Sequence, residues 1–121
     1  MITLHFPYKL ISKDNEKVFN GRGRPVKSGK FRAYEEKIAW DAKAQYQGEV
    51  LECPIAMVIE AYFTNKRHCD ATNLFKSVND SLQKIVYKND RQILDARIVV
   101  MDERAKTDSF VVRIIDIPPQ K

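Results

Sequence analysis

The spacing of apolar residues changes period several times along the chain, and each change marks an element. Residues 2–8, Ile-Thr-Leu-His-Phe-Pro-Tyr, alternate weakly between apolar and polar, which predicts an edge or starting strand. A long polar connection follows. From Phe31 to Gln47 the set Phe31, Tyr34, Ile38, Ala42 and Tyr46 returns at spacings of three and four, the period of a helix, with Ser28 as candidate cap and Gly48 as stop. Pro54 then opens Ile55-Ala-Met-Val-Ile-Glu-Ala-Tyr-Phe63, whose β-branched and aromatic content predicts a strand buried in a sheet. A second helix is expected from Ala71 to Ile85, with Asp70 able to cap it. At about 100° per residue, Leu74, Phe75, Val78, Leu82 and Ile85 fall on one face, and Asp70, Asn73, Lys76, Ser77, Asp80 and Lys84 gather on the opposite one. Ile93–Met101 and Ser109–Ile117 read as two closing strands joined as a hairpin across the charged turn Asp102–Thr107.

The order strand, helix, strand, helix, strand, strand predicts an α+β two-layer sandwich, with both helices on one face of a mixed sheet. A chain of 121 residues is expected to form a single domain, residues 1–121, with one core. Hydrophobic residues at 44% and charged residues at 31% exclude collagen-like, disulfide-dense and wholly disordered classes. The longest apolar runs are short, as in Ile55–Ile59, so no membrane span is expected. The N-terminal residues lack the basic start and apolar run of a signal peptide. Cys53 and Cys69, without a C-x-x-C pair, suit reduced thiols in the cytoplasm, and His68 beside Cys69 falls short of a zinc site.

Charge adds direction to this picture. The net charge is +5, and its placement is uneven. Between Lys9 and Arg32 stand Lys9, Lys13, Lys17, Arg22, Arg24, Lys27, Lys30 and Arg32 against only Asp14 and Glu16. The stretch from about residue 9 to 30 therefore reads as a basic loop able to follow a phosphate backbone, or as a solvated surface loop. Nucleic acid is the leading partner.

The candidate chemistry lies in Lys66-Arg-His-Cys-Asp70-Ala-Thr-Asn-Leu-Phe-Lys76 and in Asn89-Asp90-Arg-Gln-Ile. Asp70 stands where a loop feeds a helix, and Asp90 lies in a turn before a strand, so both can converge at one end of the sheet. Magnesium binds through one or two carboxylates plus phosphate oxygens and waters. Lys76 would then offset charge developing on a phosphate. Taken singly, Asp70 is also explained as an N-cap, Lys76 as the surface partner of Asp80, and Asp90 as a turn former.

Together these residues resemble the RusA family of Holliday junction resolvases. The family pattern Asp-x-Asp-Asn-x-x-Lys, followed after a helix by Asp-Asp-x-Gln-Ile/Val, meets Asp70-Ala-Thr-Asn73-Leu-Phe-Lys76 and Asn89-Asp90-Arg-Gln92-Ile93. Arg24-Pro-Val-Lys-Ser28 and Ala33-Tyr34 extend the resemblance upstream. It implies a metal-dependent endonuclease that cuts four-way DNA junctions in recombination and repair, using Mg2+ or Mn2+. Asp70, Lys76 and Asp90 are the implied catalytic residues, with Asp70 and Asp90 on the metal. Arg22, Arg24, Lys27, Lys66, Arg67, Asn73 and Arg91 are the expected DNA contacts, and a homodimer is implied by the two cuts that a junction requires. Thr72 stands where the family carries its second aspartate, and it remains a weak candidate ligand. That departure leaves open a second reading, a branched-DNA-binding module that cuts poorly. A basic interaction or scaffold protein is the third.

Overall fold

A computed structural model describes residues 1–11, 17–19, 25–27, 29–65, 71–101 and 104–117; for 17–19, 25–27, 29–31 and 71–73 the backbone alone is described. In chain order the elements are β1 (Ile2–Phe6), β2 (Lys17–Phe19), β3 (Pro25–Lys27), α1 (Gly29–Gln45), β4 (Ile55–Tyr62), α2 (Ala71–Leu82), a 3-10 turn (Asp90–Gln92), β5 (Ile93–Val100) and β6 (Ser109–Asp116). The expected strand and helix order holds for the main sheet and both helices. Within the basic stretch, however, β2 and β3 pair antiparallel, with Lys17 opposite Lys27 and Phe19 opposite Pro25. The segment expected to be loop throughout therefore carries a small second sheet. Val18, Phe19 and Val26 supply the β-formers that permit it.

The main sheet has the order β1-β6-β4-β5. β4 lies parallel to β5 and antiparallel to β6, and β1 is antiparallel to β6. A parallel neighbour requires a crossover, and α2 provides it between β4 and β5. The expected β5–β6 hairpin is overturned: these strands sit on opposite sides of β4. The physical reason lies in their link. Asp102–Thr107 offers no Asn-Gly or Gly-X turn to close a tight hairpin. The connecting chain instead steps over the end of β4, a displacement of about 10 Å. Met101 N–H donates to Ala61 O at 2.9 Å, Ala105 N–H to Phe63 O at 3.0 Å, and Thr64 N–H to Asp108 Oδ1 at 2.8 Å.

One face of this sheet is apolar because every second residue is. Leu4 and Phe6 from β1, Ile55, Met57, Ile59 and Ala61 from β4, and Phe110, Val112 and Ile114 from β6 are buried together. Ile38 and Ala42 of α1 and Leu74, Val78 and Leu82 of α2 cover them. Each large apolar side chain so buried contributes about 1.5–3 kcal/mol. Phe6 and Phe110, opposite each other in the β1–β6 register, stack with ring centroids 4.6 Å apart.

Two details of α2 differ from its helical wheel. The helix ends at Leu82, and Ile85 lies in the turn beyond, where Lys84 takes a positive φ of 73°. Ser77, placed by the wheel on the polar face, is buried along with Ser81. The Ser81 hydroxyl donates back to Ser77 O at 2.8 Å, which satisfies it inside the helix. Two small side chains one turn apart suit the close packing of α2 on α1. Trp40 is 73% exposed on α1. No helix among the described residues is long and apolar enough to cross a membrane.

Candidate active site

The turn bearing Asp90 is held from three sides. The Oδ1 of Asn89 accepts from Arg91 N–H at 2.9 Å, and the Oε1 of Gln92 accepts from Asn89 N–H at 2.7 Å. The amide nitrogen of Gln92 donates to Leu51 O at 2.8 Å and to Cys53 O at 2.9 Å. Gln92 thus uses both ends of its amide: one fixes the turn internally, the other fastens it to the chain that leads into β4. Asp90 O accepts from Ile93 N–H, but the Asp90 carboxylate is exposed and accepts no hydrogen bond among the described residues. Its oxygens are available to a ligand, on a turn that does not depend on them.

Tyr87 connects this turn to α2. The side chain is fully buried, and its hydroxyl donates to Asn79 Oδ1 at 2.5 Å. Burial pushes the phenol pKa well above its usual range, and the carboxylates of Asp90 and Asp80 push it further in the same direction. Both carboxylates therefore bear on one hydroxyl, Asp80 from α2 and Asp90 from its turn. Lys76 precedes Asp80 by one helical turn and is exposed, as is Arg91. Thr72 and Asn73 lie in the first turn of α2; Thr72 precedes Lys76 by four residues and so shares its stripe by helical register.

The remaining expected site residues fall differently. Asp70, Lys66, Arg67, Arg22 and Arg24 lie outside the described residues. Lys27 closes β3, where the backbone alone is described. Among the described residues no three His, Cys, Asp or Glu side chains converge as a metal site. The exposed oxygen donor of Asp90 fits a hard divalent cation in kind, and such an ion needs a further ligand from elsewhere.

A second group positions the basic segment. Tyr34 on α1 donates to Lys9 O at 2.8 Å and accepts from Ile11 N–H at 3.1 Å. Tyr8 donates to Asp41 Oδ2 at 2.7 Å, with the Lys37 ammonium 4.4 Å from its ring centre. These contacts fasten residues 8–11 to α1, immediately before the chain enters its basic stretch.

The sequence singles out Asp90, Lys76 and Arg91 as candidates, but not the residues that hold the Asp90 turn. Gln92 was legible in principle, because Asn89-Asp-Arg-Gln92 has the spacing of a cap with a glutamine three residues on. The Tyr87–Asn79 bond follows no local spacing rule, and neither does Tyr34 bridging Lys9 and Ile11.

The model of the endodeoxyribonuclease RusA family matches residues 7–115 of this chain. The chain is also similar to the crossover junction endodeoxyribonuclease RusA of Aquifex aeolicus (strain VF5), with 25% identity over 114 residues that cover 93% of this chain and 90% of that protein.

Proposed function

Because this chain belongs to the endodeoxyribonuclease RusA family, we propose that it is a metal-dependent endonuclease that resolves four-way DNA junctions by phosphodiester hydrolysis. In this reading residues 1–121 form one nuclease domain acting in the cytoplasm, with the basic segment at about 9–30 against the DNA. Asp70 and Asp90 hold the ion, magnesium with manganese as substitute. When bound, that ion supplies Lewis-acid activation of the phosphate and of water. Lys76 offsets the charge that develops on the phosphate oxygens. Arg22, Arg24, Lys27, Lys66, Arg67, Asn73 and Arg91 position the backbone without reading sequence. Two cuts on a nearly two-fold substrate call for a two-fold homodimer.

The observation that carries this reading is Asp90: an exposed carboxylate that accepts no hydrogen bond among the described residues, on a turn locked by Gln92, within a chain whose residues 7–115 match the family. Thr72, a neutral hydroxyl at a position where the resembled pattern has aspartate, favours a second reading, a branched-DNA binder that cuts weakly. A synthetic four-way junction incubated with Mg2+ or Mn2+ separates the two. The nuclease reading expects metal-dependent nicks that Asp70→Asn or Asp90→Asn abolishes while junction binding persists. Tight binding by the wild-type protein without nicks favours the second reading and overturns the first.

A further inference from the structure

Trp40, the chain's one tryptophan, is 73% exposed and has neither a ring partner nor a hydrogen bond among the described residues. It stands at the head of a groove between the C-terminal half of α1 and the turn that follows α2. A hollow of about 190 Å3 is lined by Ala39, Trp40, Lys43 and Ile85. A second, of about 410 Å3, shares Lys43 and Ile85 with the first and continues past Lys84 to Tyr46 and Val50. The far end is fixed in shape: the Tyr46 ring lies against Gly48, where an added Cβ would come within 2.9 Å of it, and the Tyr46 hydroxyl donates to Glu49 O.

Charge divides this side of the molecule. Glu35, Glu36 and Asp80 line a neighbouring hollow between the two helices. No carboxylate among the described residues lines the two hollows beside Trp40, whose charged residues are Lys43 and Lys84. Both lysines are exposed, and neither is in an ion pair among the described residues.

We propose that this groove binds single-stranded DNA, with an unpaired base stacked on Trp40 and the adjoining phosphates held by Lys43 and Lys84.

An exposed indole presents a flat apolar face, and every base has a face that can cover it, so such stacking tolerates any sequence. The two unpaired ammonium groups complement a phosphate backbone, whereas the acidic hollow alongside repels it. In a duplex the bases already stack on one another, so the platform favours a strand whose bases are free. The choice of DNA over another polyanion rests on the nuclease reading above. Position agrees with that choice: α2 runs about 9 Å from Lys76 to its end at Leu82, where the groove begins. A strand advances about 3.4 Å per nucleotide, so the groove lies about three nucleotides from Lys76. Strands change partners at the crossover of a four-way junction, where bases leave their stacks most easily, and Trp40 holds one that has done so.

Because Trp40 is the only indole, its fluorescence reports the site directly. Titration of the wild-type protein with a short oligothymidylate in the presence of a metal chelator should quench this emission saturably. A blunt duplex of the same length should quench it less, and polyglutamate should not quench it. Anisotropy of a dye-labelled oligothymidylate should show binding weakened about tenfold by Trp40→Ala and largely restored in Trp40→Tyr, which keeps a ring. Lys84→Gln should weaken binding and make its salt dependence shallower. Circular dichroism establishes that each variant is folded, and the wild-type quenching needs no variant. Strand binding without quenching, or with undiminished affinity in Trp40→Ala, overturns the proposal. Equal quenching by the duplex overturns it as well, and equal quenching by polyglutamate would mark the groove as a seat for an acidic peptide instead. No metal is present and nothing is cut, so a failure here leaves the nuclease reading standing, and a junction that is never cleaved leaves the strand titration intact.

Discussion

Tyr87 donates its hydroxyl hydrogen to Asn79 Oδ1 at 2.5 Å, and through this bond the segment that leads to Asp90 is fastened to the helix that carries Lys76 and Asp80. Tyr87→Phe keeps the buried ring and removes that bond. It is expected to cost about 1 kcal/mol. Urea denaturation should show a lower midpoint at an unchanged m-value. Tyr87→Ala, which also empties a buried ring site, should cost about 3–5 kcal/mol.

Alkaline pH should unfold the protein through its phenols. Burial raises the pKa of Tyr87, with Asp90 and Asp80 adding to the shift. Burial also raises Tyr8, helped by its bond to Asp41, and raises Tyr34. In the unfolded chain tyrosine ionises near pH ~10. A raised native pKa means that the folded state keeps protons which the unfolded state has released. The resulting stabilisation is complete below pH ~10 and is lost as pH rises through the native values. Thermal melts from pH 8 to 12 should show this decline, and Tyr87→Phe should make it shallower.

Gln92→Ala removes three hydrogen bonds around the Asp90 turn, taking the side-chain partner from Cys53 O and Asn89 N–H and leaving Leu51 O with Lys88 N–H alone. The expected cost is about 2 kcal/mol. Junction cleavage should fall although Asp90 is intact, and amide exchange at Asn89 should accelerate. Gln92→Glu keeps the acceptor for Asn89 but sets a carboxylate against two carbonyl oxygens, so it should not rescue either property.

Thr72→Asp places a carboxylate one helical turn before Lys76. If the ion sits at this end of α2, the added charge should lower the Mg2+ concentration needed for half-maximal cleavage. A titration of cleavage rate against Mg2+ reads the shift directly, and an unchanged midpoint would separate position 72 from the metal.

Much of the fold was legible because each element has a strong local signature. β4 alternates buried and half-buried residues along its whole length, and the apolar face of α2 appears on its wheel. The β5–β6 hairpin expected because sequence neighbours usually pair does not form, since β4 lies between the two strands. Ser77 departs from its wheel position because polarity does not fix exposure: a small serine can be buried, as Ser81 is with its hydroxyl bonded to Ser77 O. The charged candidates for the site stand out in the sequence, whereas the residues that support their elements do not. Gln92, Asn79 and Tyr34 act through partners from 8 to 41 positions away, and no local periodicity encodes such distances.

The central claim is that Asp70 and Asp90 grip one divalent ion together. Titration of the isotopically labelled protein with Mn2+ reads this without reference to activity, since the paramagnetic ion broadens nearby amide resonances. The account predicts that signals flanking residues 70 and 90 broaden at the same substoichiometric Mn2+ concentration and that Asp90→Asn abolishes the effect at both. Broadening at one position alone, or equal broadening over the whole acidic surface, would contradict it.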